Sequence, residues 1–302
     1  MRKFNLKGTV VQRMKGIERQ EPEKSAEPEK QPAPEAPAMD AAFTAEQGVF
    51  TYAWRTDVGR LRKNNQDAVI LGNGLAGVAD GMGGHKGGEI ASAGLRDGLL
   101  REIKEKKPES GTLSEAVKTV NLELWKQQEE DAALTGMGTT LTVLWPTEKD
   151  MIIGQVGDSR AYLLRGGEMK QVTEDHSMVA DMVRKGVLTE EQAACHPMRN
   201  YITRAVGTEE NVEMDITVHD RKQGDRWLIC SDGLYGMVPR AKLKTLMEEE
   251  NLDFAAERML QAALEGGGKD NISIVLIQDN TVITEAENEA ADGQASGEVS
   301  PQ

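Results

Sequence analysis

The amino-acid sequence predicts an α+β fold: two antiparallel sheets with helix pairs over their outer faces. Two observations carry this. Strand-like runs come in hairpin-connected groups and helical runs come in pairs, so the strand–helix alternation of a parallel sheet is absent. The apolar runs LAGVAD, MIIGQVGD, WLICSD and ISIVLI show little polar alternation, as expected of strands covered on both sides.

The elements follow in order. Residues 48–56 (GVFTYAWRT) alternate and carry aromatic and β-branched side chains, a strand pattern. DAVILGNGLAGVAD is two strands around Asn73-Gly74, a strong hairpin signal. Residues 89–106 are helical, with Ile90, Ala93 and Leu99 or Leu100 on one side. Thr112-Leu113-Ser114-Glu115 has the form of a capping box. It opens a helix whose Leu113, Ala116, Val117, Val120 and Leu124 recur at helical spacing. TTLTVLW, MIIGQVG and AYLLRGG are strands, the last turned back by Gly166-Gly167 into residues 168–172. Residues 177–194 form two short polar helices divided near Gly186, the second capped by Thr189 and Gln192. Strands return at 212–218 and 226–230, helices at 240–249 and 252–264, and a strand at 272–278 closes the series.

Composition sets the limits of this domain. A chain of 302 residues suggests roughly two domains. However, Pro22, Pro28, Pro32, Pro34 and Pro37 crowd a Pro/Glu/Ala stretch that cannot bury a core. The expected layout is a basic arm and disordered linker over 1–47, one domain over 48–279, and an acidic disordered tail over 280–302. The net charge is −14. The basic first 19 residues are offset by the acidic linker, and the domain itself stays acidic, which argues against nucleic acid as partner. Cys195 and Cys230 form no CxxC or disulfide framework, which points to a reducing, cytoplasmic setting. No apolar run approaches the ~20 residues of a membrane span. The N-terminus has no continuous apolar region of a signal peptide and is expected to be a solvated arm.

Chemistry enters with four aspartates. Asp80, Asp158 and Asp232 close apolar runs, and Asp270 stands two residues before one. A lone Asp-Gly pair is only a turn signal. Four carboxylates at the ends of core strands are different, because buried unpaired charge is costly and clustered carboxylates resist ionisation. A hard divalent cation with oxygen ligands resolves both problems. Gly81 fits the same picture, since its carbonyl could approach a metal without a side chain in the way. The polar connection between residues 56 and 67 is either a solvated hairpin link or a functional loop. In the second case Arg62 clamps phosphate bidentately and Asp67 supports the metals or their waters.

The strings TDVGRLRKNNQD, ADGMGGHKGGEIAS, GMGTTLT, VGDSRAYLLR, TEDHSMV, HPMRNYITRAVG, CSDGL and KDNIS resemble, in order and spacing, the metal-dependent type 2C Ser/Thr protein phosphatases of the stand-alone bacterial branch. The resemblance implies a four-layer αββα sandwich with the metal site at one edge of the sheets. It implies that Asp80 bridges two Mn²⁺ or Mg²⁺ ions, that Gly81 gives its carbonyl to one, and that Asp232 and Asp270 complete the other. Asp158 would hold a third, weaker ion with Asp232, Arg62 would bind the phosphate, and residues 177–204 would be a flap. The implied reaction is hydrolysis of phosphoserine and phosphothreonine in proteins by a metal-activated hydroxide, opposing a Ser/Thr kinase. Asp80, Asp232 and Arg62 would carry it.

Two positions depart from the family pattern. Gln66 stands where many members have Glu. Met82 stands where eukaryotic members have a proposed general-acid His, and methionine has no proton to donate. His85 is a nearby candidate for that proton, as is a metal-held water. Two other functions compete: a catalytically weak phosphoprotein-binding regulator, and a hydrolase of small phosphate esters.

Overall fold

The computed structural model describes residues 11–12, 43–45, 48–83 and 87–281. In chain order its strands are β1 (Val11–Gln12), β2 (Phe43–Ala45), β3 (Gly48–Asp57), β4 (Asp67–Gly72) and β5 (Leu75–Met82). Helices α1 (Gly87–Glu102) and α2 (Ser110–Glu130) follow. Next come β6 (Gly138–Thr139), β7 (Leu141–Pro146), β8 (Asp150–Val156), β9 (Arg160–Arg165) and β10 (Glu168–Gln171). The segment after β10, where a flap is expected, holds α3 (Met178–Arg184), α4 (Glu190–Ala194) and β11 (Tyr201–Ile202). Then β12 (Asp215–Asp220), β13 (Arg226–Cys230), α5 (Asp232–Tyr235), α6 (Arg240–Met247), α7 (Leu252–Glu265) and β14 (Ile272–Asp279) complete the chain.

The strands form two antiparallel six- and five-stranded sheets, ordered β10-β9-β13-β14-β3-β2 and β12-β8-β7-β5-β4, with β6 added beside β5. Side-chain alternation on the central strands builds three apolar layers. On β5, Ala76 and Val78 face the other sheet, while Leu75 and Ala79 face α1 and α2. On β14, Val275 and Ile277 enter the same inter-sheet layer, while Ile272, Ile274 and Leu276 meet α6 and α7. Both faces of each central strand are therefore buried, which is why their sequences lack a polar face. The four layers run helix, sheet, sheet, helix, as expected. Among the described residues no helix is long and apolar enough to cross a membrane.

Several boundaries differ from expectation. The helix expected to open at Thr112 starts at Ser110, so Thr112 lies inside the first turn and cannot act as its cap. Helix α1 stops at Glu102 rather than running to residue 106; Glu105 turns the chain at φ +61°. The strand expected from residue 212 begins at Asp215. Val212 and Met214 instead pack against the α1–α2 core, and Arg204 holds the Glu213 carbonyl out of the ladder. The link between β3 and β4 is not a hairpin: it crosses from one sheet to the other. Within residues 1–47, β1 pairs with β11 and β2 with β3. Asn280 and Thr281, expected in the tail, are hydrogen-bonded to Thr51 and Arg221. The rest of the arm and linker, His85 and the tail beyond residue 281 lie outside the described residues.

The sandwich is closed at the end where β14 finishes by a buried ion pair, Arg221 Nε to Asp279 Oδ2 at 2.8 Å, both side chains under 5% exposed. The guanidinium also covers the Phe50 ring at 4.3 Å. Removing one member strands the other charge. Asp279→Ala is expected to lower unfolding free energy by about 3–5 kcal/mol, read as a shift of the urea midpoint at unchanged slope.

Candidate active site

At the opposite end of β14 the two sheets present their strand ends to one cleft, lined by Arg62, Gln66, Asp80, Gly81, Met82, Asp270 and Asn271. Four of the predicted site residues thus meet: Arg62, Asp80, Gly81 and Asp270. Asp80 and Gly81 come from β5, and Arg62 and Asp270 from the loops before β4 and β14.

Asp80 is 7% exposed near the end of β5. Its N–H donates to Thr140 Oγ1 at 2.9 Å, and Thr140 N–H returns to the Asp80 carbonyl. Thr140 Oγ1 is then 2.8 Å from Ser159 Oγ, so the strand carrying Asp80 is linked to the turn carrying Asp158. Asp67 lies directly opposite Asp80 in the β4–β5 register. Like charges in that relation repel, and a cation between the strands would reverse the effect. Ser231 donates to Asp67 Oδ2 at 2.7 Å and accepts from Ser273 N–H, which brings the residue preceding Asp232 against Asp67.

Gly81 has a packing reason for being glycine. A Cβ there would stand 2.0 Å from the Gly88 carbonyl oxygen and 2.5 Å from that of Gln66. The start of α1 is seated directly on the end of β5. Gly81→Ala is expected to cost about 1–3 kcal/mol through overpacking, measured by thermal unfolding.

The Arg62 loop hangs from Asn271, which the motif reading passed over. Asn271 Oδ1 accepts from Gln66 N–H at 2.8 Å, and its Nδ2 donates to the carbonyls of Val58 and Asn64 at 3.0 Å each. Its position between Asp270 and the apolar run of β14 was the available signal: a buried amide there must be satisfied. Arg62 itself donates to Asp270 Oδ2 at 2.9 Å, and Asp270 Oδ1 accepts from the Asn271 N–H. The phosphate-clamp candidate is paired with a metal-ligand candidate.

Asp158 and Asp232 are not among the residues that line this cleft. Asp158 is 3% exposed, in a turn fixed on every side. Tyr235 donates to the Asp158 carbonyl at 2.9 Å, and Gln155 Nε2 donates to the carbonyls of Gly157 and Ser159. Gly157 holds φ +98°, a conformation only glycine takes readily. Tyr235 stays protonated far above ordinary pH, first through burial and then through the nearby Asp158 charge. Arg160 grips Asp175 through two nitrogens and lies over the Tyr235 ring at 3.8 Å.

Met82 is buried against Ile202 and Ala205. Met82 thus packs the residues of β11 and just beyond it beside the cleft.

Among the described residues, no three His, Cys, Asp or Glu side chains stand close enough together to form a ready-made metal cage. The donor chemistry nonetheless suits one class of ion. Asp67, Asp80, Asp158, Asp232, Asp270 and the Gly81 carbonyl offer oxygen alone, which is what Mg²⁺ and Mn²⁺ take.

The protein phosphatase 2C family model matches residues 60–271. Serine/threonine protein phosphatase PstP of Mycobacterium tuberculosis is 39% identical over 231 residues, 76% of this chain. The match covers 45% of that relative, so the chain spans less than half its length. Serine/threonine phosphatase stp of Listeria innocua is 37% identical over 240 residues, covering 75% of this chain and 95% of that protein. A crystal structure of the PstP catalytic domain in complex with two manganese ions superposes with a TM-score of 0.70 at 36% identity, over 76% of this chain and 98% of that one.

Proposed function

The chain belongs to the protein phosphatase 2C family, and from that premise we propose that it hydrolyses phosphoserine and phosphothreonine in proteins, with residues 48–279 as the phosphatase domain. The observation that carries this is the convergence of Asp80, Gly81, Asp270 and Arg62 on one cleft at the strand ends. Asp80, the Gly81 carbonyl, Asp232 and Asp270 would hold two Mn²⁺ or Mg²⁺ ions, with Asp67 in support and Asp158 joining Asp232 around a third, weaker one. When bound, such ions neutralise phosphate oxygens and make water acidic enough to attack at neutral pH.

The protein's own groups do the rest. Arg62 leaves Asp270 for the phosphate, where a planar fork of N–H donors matches two oxygens. Asn271 keeps the Arg62 loop at the cleft while that exchange occurs. Met82 excludes water from the flap side and delivers no proton to the departing serine oxygen. A Ser/Thr kinase of the same cytoplasm is the proposed opponent.

The test compares a phosphoserine peptide, a nucleoside monophosphate and p-nitrophenyl phosphate, each with Mn²⁺ and with chelator. Manganese-dependent turnover of the peptide well above that of the nucleotide is expected. Peptide binding without turnover would mean a phosphoprotein-binding regulator instead.

A further inference from the structure

Building on the phosphatase reading, we propose that His176 is a positioning residue whose two ring nitrogens hold the Asp158 turn in register with the flap segment. His176 is 4% exposed and stands just before α3, where the flap begins. Its backbone joins both sides: its N–H donates to the Gly157 carbonyl at 2.9 Å, and its own carbonyl accepts from Thr203 N–H at 2.8 Å.

The ring repeats the connection with directional chemistry. Nδ1 accepts from Gly157 N–H at 3.1 Å, which assigns the proton of the neutral ring to Nε2. Nε2 then donates to Asp215 Oδ2 at 3.0 Å. Arg204, at the far end of the same segment, donates to Asp215 Oδ1 and to the Glu213 carbonyl, and its Nη1 also lies 3.2 Å from His176 Nε2, so Arg204 and Asp215 meet at this one ring nitrogen. Burial holds the imidazole below the ordinary histidine range, in keeping with a neutral ring that accepts at Nδ1. Partial burial raises the Asp215 carboxyl, but the bonds from His176 and Arg204 outweigh it and hold that carboxyl low and charged. One nitrogen therefore serves the turn that carries Asp158. The other serves the residues that close the flap next to Ile202 and Ala205, against which Met82 packs.

The two links can be cut singly. Asparagine places an acceptor near Nδ1 and has nothing at Nε2; glutamine places a donor near Nε2 and has nothing at Nδ1. Amide hydrogen exchange in the full chain is the first readout, and it needs neither metal nor substrate. His176→Gln should speed exchange at Gly157 by about fivefold, the factor of one ordinary hydrogen bond. His176→Asn should leave Gly157 exchange near wild type.

Phosphopeptide kinetics with Mn²⁺ are the second readout. His176→Gln should act mainly on kcat, and His176→Asn should raise KM by about fivefold with a smaller change in kcat. The KM rise should be much smaller for p-nitrophenyl phosphate, which is too small to reach the flap. Asp215 is about half-exposed, so Asp215→Ala should fold. It removes the partners of both His176 and Arg204, so it should show at least the effect of His176→Asn, and adding His176→Asn to it should change nothing more, because the His176–Asp215 link is already cut.

Equal effects of the two His176 variants on Gly157 exchange and on both substrates, with a common fall in thermal stability, would show a packing residue and overturn the proposal. Wild-type protein lacking manganese-dependent turnover would instead sink the phosphatase reading, while the exchange difference would still judge the network.

Discussion

Replacing Asp80 by alanine is expected to bring phosphopeptide turnover to background, a loss of about 10³-fold or more, since charge stabilisation by a bound metal is worth several kcal/mol. The fold should survive. Asp80 belongs to a like-charge cross-strand pair with Asp67, so losing one carboxylate relieves repulsion rather than creating it. The backbone bonds of Asp80 to Thr140 do not involve the lost atoms. Calorimetric titration should show weakened Mn²⁺ binding, and circular dichroism a secondary structure like that of wild type. Asp232→Ala should behave alike in turnover. Near-wild-type turnover of either variant at saturating Mn²⁺ would remove the metal-site assignment.

Arg62→Ala should lose turnover by a different route. Removing one preorganised donor to developing charge costs about 2.7–4 kcal/mol, or about 10²–10³-fold. The Arg62–Asp270 contact at 2.9 Å adds a second expectation. The guanidinium competes with any cation for Asp270, so the variant should bind Mn²⁺ as tightly as wild type or more so. Slow turnover combined with unimpaired metal affinity is the signature of a clamp. Lost Mn²⁺ affinity would make Arg62 a structural support of Asp270.

What the sequence showed and what it hid divide along physical lines. Asn73-Gly74 marked its hairpin and Thr189 with Gln192 its capping box, because both signals are complete within four residues. The aspartates were legible because carboxylates contrast with the apolar strands beside them. Thr112 misled for the converse reason. The same local signature was present, but the helix had already begun at Ser110. Residues 56–67 could not reveal that they cross between sheets, since sheet membership depends on partners far away in sequence. Asn271 and His176 escaped notice as site supports because the side-chain partners of Asn271 are 205, 207 and 213 residues away and those of His176 include ones 19 and 39 residues away. An asparagine or histidine alone carries no mark of such partners. Gly81 was singled out for the approach of its carbonyl to a metal, and the constraint visible in the structure is the carbonyl of Gly88.

The place of β14 in its sheet has a consequence for how the protein is made. β14 lies between β13 and β3, and no other strand joins those two. A nascent chain leaving the ribosome therefore carries the open edge of β3 (Gly48–Asp57) until β14 (Ile272–Asp279) is made, more than two hundred residues later, whereas β13 (Arg226–Cys230) waits through a far shorter stretch. Such edges are templates for aggregation, and pairings of this sequence separation form late. Asn271, which holds the Arg62 loop, arrives in the same final stretch. The proposed activity toward phosphoproteins is therefore expected only once β14 sits in the middle of its sheet, and a shorter nascent chain is expected to need chaperoning of an open sheet until then.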